Sequence, residues 1–241
     1  MKKLTLSFDN GPDPDCTPWV LDILAERGIK ASFFVCAEGN PVHAPFKASS
    51  PDSKAILERA RSEGHLVGNH TLTHTVELGT TDDPEAPAKE IGQAQELMGD
   101  LCENPRLFRP YMSGGILGEN CFSPKSIQFL CENKFTTVMF NCVPKDWLQP
   151  ETWPEQAFKD GEQLDWMLII VHDVGFTGAM KQLPRFLDEC IARGIEIVQE
   201  FPADCTPIVN GEIVGNLDGL VCGDTPAPVS EHIMGAKPNQ L

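Results

Sequence analysis

Two histidines stand four residues apart in Asn69-His70-Thr71-Leu72-Thr73-His74. On one helical turn or in a tight loop, His70 and His74 face the same way, at the spacing a metal ion can bridge. In Ser7-Phe8-Asp9-Asn10-Gly11-Pro12 an apolar run ends in two small polar residues before a Gly-Pro turn, which would aim Asp9 and Asn10 out of the strand end. Arg109 leaves another apolar run just before Pro110, whose ring keeps it out of a regular ladder. Asp146 adjoins Trp147, and His172 closes the most hydrophobic run, Met167 to Val171, where burial would tune an imidazole's proton affinity. Each cluster has a plain reading taken alone: a surface turn, a chance histidine pair, a surface arginine, a packed indole. His43, His65 and His232 have no comparable context and read as surface or core residues.

What gives the five clusters meaning is their position, since each comes at or soon after the end of a strand-like run. In a parallel barrel all strand C-termini open on one face, so groups far apart in sequence converge there. The runs themselves are Leu4 to Phe8, Ala31 to Val35, His65 to Gly68, Arg106 to Phe108, Phe135 to Phe140, Met167 to Val171 and Ile195 to Val198. Between them lie segments of helical period, namely Thr17 to Arg27, a helix from about Ser53 capped by Asp52 or Ser53, Ala86 to Leu101, Ser123 to Asn133 and Gly178 to Arg193. About seven strands alternating with helices predict an α/β fold, a distorted (β/α) barrel. An open doubly wound sheet is the alternative, disfavoured because no glycine-rich phosphate loop follows the first strand. From Phe201 to Leu241 the chain changes character, with five prolines and an Asn210-Gly211 hairpin signal. The expected division is a barrel over 1–200 and a partly extended or hairpin appendage over 201–241.

Of the 241 residues, 41% are hydrophobic and 22% charged, enough to bury a sizeable core. No apolar run approaches the roughly 18 residues of a membrane span. The formal charge of -16 would repel phosphate backbones and anionic lipid over most of the surface, so neither nucleic acid nor membrane is an expected partner. Met1-Lys2-Lys3 resembles the start of a signal peptide, yet no cleavage-like apolar region develops before Asp9. Nine scattered cysteines without a C-x-x-C pair argue against a disulfide framework and a zinc ribbon. A reducing, cytoplasmic setting is the expectation.

Together the five clusters resemble the polysaccharide deacetylase family with the NodB-type domain, carbohydrate esterase family 4. That family shows a Thr-Phe-Asp-Asp-Gly-Pro block, a His-Thr/Ser-x-x-His block, an Arg-x-Pro-type block, an Asp-Trp-type block and a Leu-x-His block, in this order. The resemblance covers about residues 1 to 200 and implies a deformed (β/α) barrel. It implies that Asp9 is the catalytic base and His172 the catalytic acid, with Arg109 holding the base and Asp146 tuning the acid. His70 and His74 match the metal-binding histidines, and Asn10 falls at the position of a metal-binding aspartate. The implied activity is removal of an N-acyl group from an amino sugar or related carbohydrate. A divalent metal, zinc before cobalt or nickel, would assist, and the partner would be a small N-acylated carbohydrate, with an oligomer possible. Two departures matter: Asn10 offers only a neutral amide oxygen to a cation, and the third block reads Arg-Pro-Tyr-Met-Ser-Gly-Gly. They keep two alternatives open, a metal-independent hydrolase of a small non-sugar amide and a catalytically silent barrel that binds a glycan or a partner.

Overall fold

The structure, a computed structural model, describes residues 1–223. Pro226, Pro228, His232 and Pro238 lie outside the described residues. Seven strands run parallel in one sheet: β1 (Lys3–Asp9), β2 (Ser32–Val35), β3 (Leu66–Asn69), β4 (Leu107–Phe108), β5 (Thr136–Thr137), β6 (Trp166–His172) and β7 (Glu196–Val198). Their order is β5-β4-β3-β2-β1-β6, with β7 paired to the first half of β1. Beyond β5 the two edges meet, where Cys142 bridges Ile169 in parallel and the Ile170 N–H donates to the Cys142 carbonyl at 3.0 Å. The sheet is therefore curled into a distorted barrel and is not an open doubly wound one.

Strand periodicity divides the interior into two layers. Successive side chains on a strand point to opposite faces. Leu4, Leu6 and Phe8 of β1, Phe33 and Val35 of β2, and Met167, Ile169 and Val171 of β6 pack outward against the helices. Phe34 of β2, with Leu168 and Ile170 of β6, packs inward. The same alternation sends Thr5, Ser7 and Asp9 of β1 and His172 of β6 to the inner side. Asp9 and His172 are also register partners at the ends of their strands, so the first and sixth strands deliver two functional groups side by side.

The outer layer comprises α1 (Cys16–Glu26), α2 (Pro51–Ser62), α3 (Ala94–Met98), α4 (Pro124–Glu132), α5 (Trp153–Asp160) and α6 (Leu183–Ala192). No helix among the described residues is long and apolar enough to cross a membrane. The α2 helix starts earlier than expected. Ser50, not Asp52 or Ser53, accepts the Ser53 N–H at 3.3 Å, because Pro51 occupies the first turn, where its missing N–H costs nothing. Phe135 to Phe140 yields only the two-residue β5, since Val138 and Met139 turn their carbonyls toward Arg109. After residue 200, β8 (Ile208–Val209) and β9 (Glu212–Ile213) form an antiparallel hairpin. Cys205, Ile208, Leu217 and Val221 are buried in the inner layer, and the Met139 N–H donates to the Cys205 carbonyl at 2.7 Å. Residues 201–223 thus cover the β5 side of the barrel.

The segment Ala86 to Leu101, expected as one helix, is a π-helical turn (Pro87–Gln93), then α3, then a 3-10 turn (Gly99–Cys102). The Asn69 side chain donates to the Ile91 carbonyl at 3.0 Å, which the Ala94 N–H also shares. The widened turn presents Glu90, nearly buried, to the loop after β3. Its carboxylate accepts the Leu72 N–H at 3.1 Å, the Thr73 N–H at 3.0 Å and the Thr73 hydroxyl at 2.9 Å. Glu90→Ala therefore leaves two loop amides without acceptors, a loss of about 1–3 kcal/mol. A lower urea midpoint with faster amide exchange at Leu72 and Thr73 is expected. An unchanged midpoint would show that the loop holds itself.

Candidate active site

Arg109 is the organising cation at the strand ends. Completely buried, it donates from Nη1 to Asp9 Oδ1 at 2.6 Å and to Ser7 Oγ at 3.0 Å. It also donates from Nε to the Val138 carbonyl at 2.9 Å and from Nη2 to the Met139 carbonyl at 3.3 Å. Its guanidinium carbon lies 3.9 Å from the centre of the Phe34 ring. Asp9 is thereby fixed through one oxygen, while Oδ2 turns to His70 Nε2 at 3.5 Å. The pair joins residues 100 positions apart.

Asp146 and His172 form the second pair. The buried Asp146 carboxylate accepts His172 Nδ1–H at 2.8 Å through Oδ1 and the His172 backbone N–H at 3.0 Å through Oδ2. A carboxylate only accepts, so Nδ1 carries a proton and Nε2 is the ring nitrogen left to act. Burial opposes the imidazolium, but the Asp146 charge and hydrogen bond, with Asp9 and Asp173 behind, outweigh it and hold His172 above the ordinary histidine value. The Trp147 ring meets His172 edge-on at 5.1 Å.

His70 and His74 come together, ring centres 4.9 Å apart. His70 Nδ1 donates to the Arg109 carbonyl at 2.9 Å, which fixes the tautomer and leaves the Nε2 lone pair facing Asp9. Burial lowers the proton affinity of both rings, and for His74 the neighbouring His70 and His172 lower it further. Two neutral imidazoles are what a cation requires. Among the described residues, the buried His74 Nδ1 has no hydrogen-bond partner, a cost that coordination would offset. The donor set therefore fits a divalent metal. The site backbone is strained: Asn10, Thr71 and His74 have φ of 73°, 73° and 55°, values uncommon outside glycine. Thr71 is held by its N–H on Asn69 Oδ1 at 2.9 Å and by its hydroxyl, which accepts the His74 N–H at 3.1 Å.

A member of this cluster had no visible signal in the cysteine pattern. Cys36, one residue past β2, is fully buried, and potential ligand atoms of Cys36, His70 and His74 lie within 4.8 Å of one another. Its thiol donates to the His70 carbonyl at 3.1 Å and lies 4.0 Å from Asn10 Oδ1. The strand alternation could have found it, because Phe34 points inward and Cys36 is two residues on. His43 is exposed at the surface, as expected. It lies 6.4 Å from His74, ring to ring, and lines the cleft.

These groups open on one cleft of about 440 Å³, bounded by Asp9, Asn10, His70, His74 and His172 at its floor and by Tyr111, Trp147 and Phe176 among its walls. Gly11 permits the floor's geometry: a β-carbon there would collide with the Asp173 carboxylate. Polar groups converging beneath aromatic walls suit a ligand with both polar edges and apolar faces.

A sequence profile described as polysaccharide deacetylase matches residues 1–115. The peptidoglycan-N-acetylglucosamine deacetylase of Bacillus cereus is 28% identical over 206 residues, covering 82% of this chain and 85% of that protein. The chitooligosaccharide deacetylase of Rhizobium leguminosarum bv. trifolii is 40% identical over 101 residues, 42% of this chain and only 41% of that protein. Among solved structures, a family 4 acetyl xylan esterase from Clostridium thermocellum in complex with a cobalt ion superposes with a TM-score of 0.61 at 25% identity, covering 82% of this chain and 87% of that one. The profile, the curved parallel sheet and the strand-end groups agree in making the chain similar to the polysaccharide deacetylases, the profile over just under half of its length.

Proposed function

We propose that this chain removes N-acetyl groups from amino sugars by cation-assisted hydrolysis. The observation that carries the reading is the pairing of Asp9 with Arg109 and of His172 with Asp146 on adjacent strands, facing one cleft beside two neutral imidazoles. Amide hydrolysis needs an activated water, a stabilised oxyanion and a proton for the departing nitrogen. His70 and His74, with Asn10 nearby, would hold a divalent cation, which when bound would supply Lewis acidity to the acyl carbonyl and the water. Zinc suits the nitrogen-rich donor set best, with cobalt and nickel close substitutes.

The chain's own residues divide the proton work. Asp9, anchored through Oδ1, has Oδ2 free to take a proton from water. Arg109 is too deeply engaged with the protein to touch substrate and serves to place that carboxylate. His172, its Nδ1 committed to Asp146, delivers a proton from Nε2 to the amine nitrogen as the C–N bond breaks. Tyr111, Trp147 and Phe176 offer apolar faces to a pyranose ring. The acidic surface and nine free thiols support action on a short, soluble N-acylated carbohydrate in a reducing compartment.

Chelation followed by re-addition of zinc, cobalt or nickel tests the reading directly. Turnover of N-acetylated chitooligosaccharides, followed by acetate release, is expected to vanish and return. Chelator-resistant turnover would instead favour the metal-independent alternative. Asp9→Asn and His172→Ala are each expected to lower kcat by about 10²–10⁴-fold, with oligosaccharide binding by calorimetry retained. Activity depends on protonated His172, so it falls as pH rises through that group's pKa, which Asp146 holds high. Asp146→Asn should therefore move the basic limb of the kcat/KM profile to lower pH. A limb that stays in place would assign it to another group.

A further inference from the structure

Resting on the cation-assisted reading above, the charge around the cluster raises a separate question of which anion faces the cation. Asn10 is neutral, and an imidazole meets a cation through the lone pair of its uncharged form. Asp9 is already charge-paired with Arg109 at 2.6 Å. A divalent ion held by an amide and two imidazoles alone, nearly out of water, would lack a ligand of opposite charge, a costly arrangement in a buried site.

We infer that Cys36, as a thiolate, is the anionic third protein ligand of the cation site formed with His70 and His74. The three side chains come from consecutive parts of the sheet: Cys36 follows β2, and His70 and His74 follow β3. The His70 N–H on the Val35 carbonyl, at 2.9 Å, locks the two strand ends together. Sulfur and nitrogen donors within 4.8 Å of one another need only small side-chain adjustments to share an ion. Three protein ligands with a fourth position open is the arrangement of catalytic zinc sites, and mixed thiolate and imidazole sets are among them. On coordination the S–H bond breaks as the S–metal bond forms. The proton passes to solvent, and the thiol gives up its hydrogen bond to the His70 carbonyl. Such a site selects zinc or cobalt over magnesium or manganese, which prefer oxygen.

Cobalt titration of the purified full chain distinguishes this ligand set from one of nitrogen and oxygen alone. The expected result is a near-ultraviolet thiolate-to-cobalt charge-transfer band that saturates at one cobalt per chain and disappears in Cys36→Ser. Cobalt and zinc affinity in that variant should fall by more than the roughly 10–100-fold that loss of a ligand's outer partner costs. X-ray absorption of the zinc-loaded wild-type chain needs no variant and should show one sulfur at about 2.3 Å beside nitrogens at about 2.0–2.1 Å. One bound metal with a shell of nitrogen and oxygen only, or a band that survives in Cys36→Ser, overturns the thiolate and leaves the deacetylase reading standing. Failure to bind either metal overturns both.

Discussion

The buried contact between Arg109 and Asp9 is the interaction on which the rest of the molecule turns. A guanidinium removed from water is tolerated only if its donors are satisfied, and here a carboxylate, a hydroxyl and two carbonyls meet them. Those acceptors belong to β1 and to the residues just past β5, while the arginine follows β4. The contact therefore spans the inside of the barrel and ties together strands at the middle and the edge of the sheet. Removing one partner from such a pair typically costs about 3–5 kcal/mol. The same geometry leaves a single oxygen of Asp9 free beside His70. Barrel closure and placement of the Asp9 carboxylate are one structural event.

Around that anchor the backbone accepts conformations that ordinary loops avoid. Thr71 is β-branched and still sits at φ 73°, with His74 three residues later at 55°. Each such residue costs on the order of 1–3 kcal/mol. The surroundings that impose these angles are specific: Asn69 and Thr71 bond the loop to itself, and Glu90 bonds it to the π-helical turn. A regular α-helix over 87–98 would turn its side chains through different angles, so the irregular helix and the strained loop support each other. π-helical turns are often found where a side chain must be placed for function.

Much of this arrangement was legible in the residues themselves. Long apolar runs became β1 and β6 nearly as read, because a strand buried on both faces needs little context. The end-of-strand rule then brought Asp9, His70, His74 and His172 to one cleft, with Arg109 and Asp146 buried behind Asp9 and His172. Features decided by distant partners were harder to see. The run Phe135 to Phe140 has strand composition, but its second half serves Arg109 and the segment near Cys205 in place of a ladder. The α5 helix escaped notice because it is short and opens on Trp153 and Pro154. Its stability comes from burying Trp153, Ala157 and Phe158, with the indole N–H on the Ala179 carbonyl at 2.9 Å. Cys36 was hidden for another reason: cysteine spacing along the chain says nothing about a thiol whose neighbours arrive from the next strand.

The cleft also shows how one residue type takes two roles through its neighbours. Of the imidazoles that line it, His70, His74 and His172 are largely buried, and burial alone would make these three neutral. His172 departs from that outcome because both oxygens of Asp146 are spent on it, one on the ring and one on the backbone. His70 faces a carbonyl through Nδ1, a partner that fixes orientation without adding charge. His74 has no acidic hydrogen-bond partner, and positive charge at His70 or His172 would oppose its own protonation. The protein thus keeps a proton donor on β6 and lone-pair donors after β3. Moving a carboxylate from one side to the other would exchange those roles without changing a single histidine.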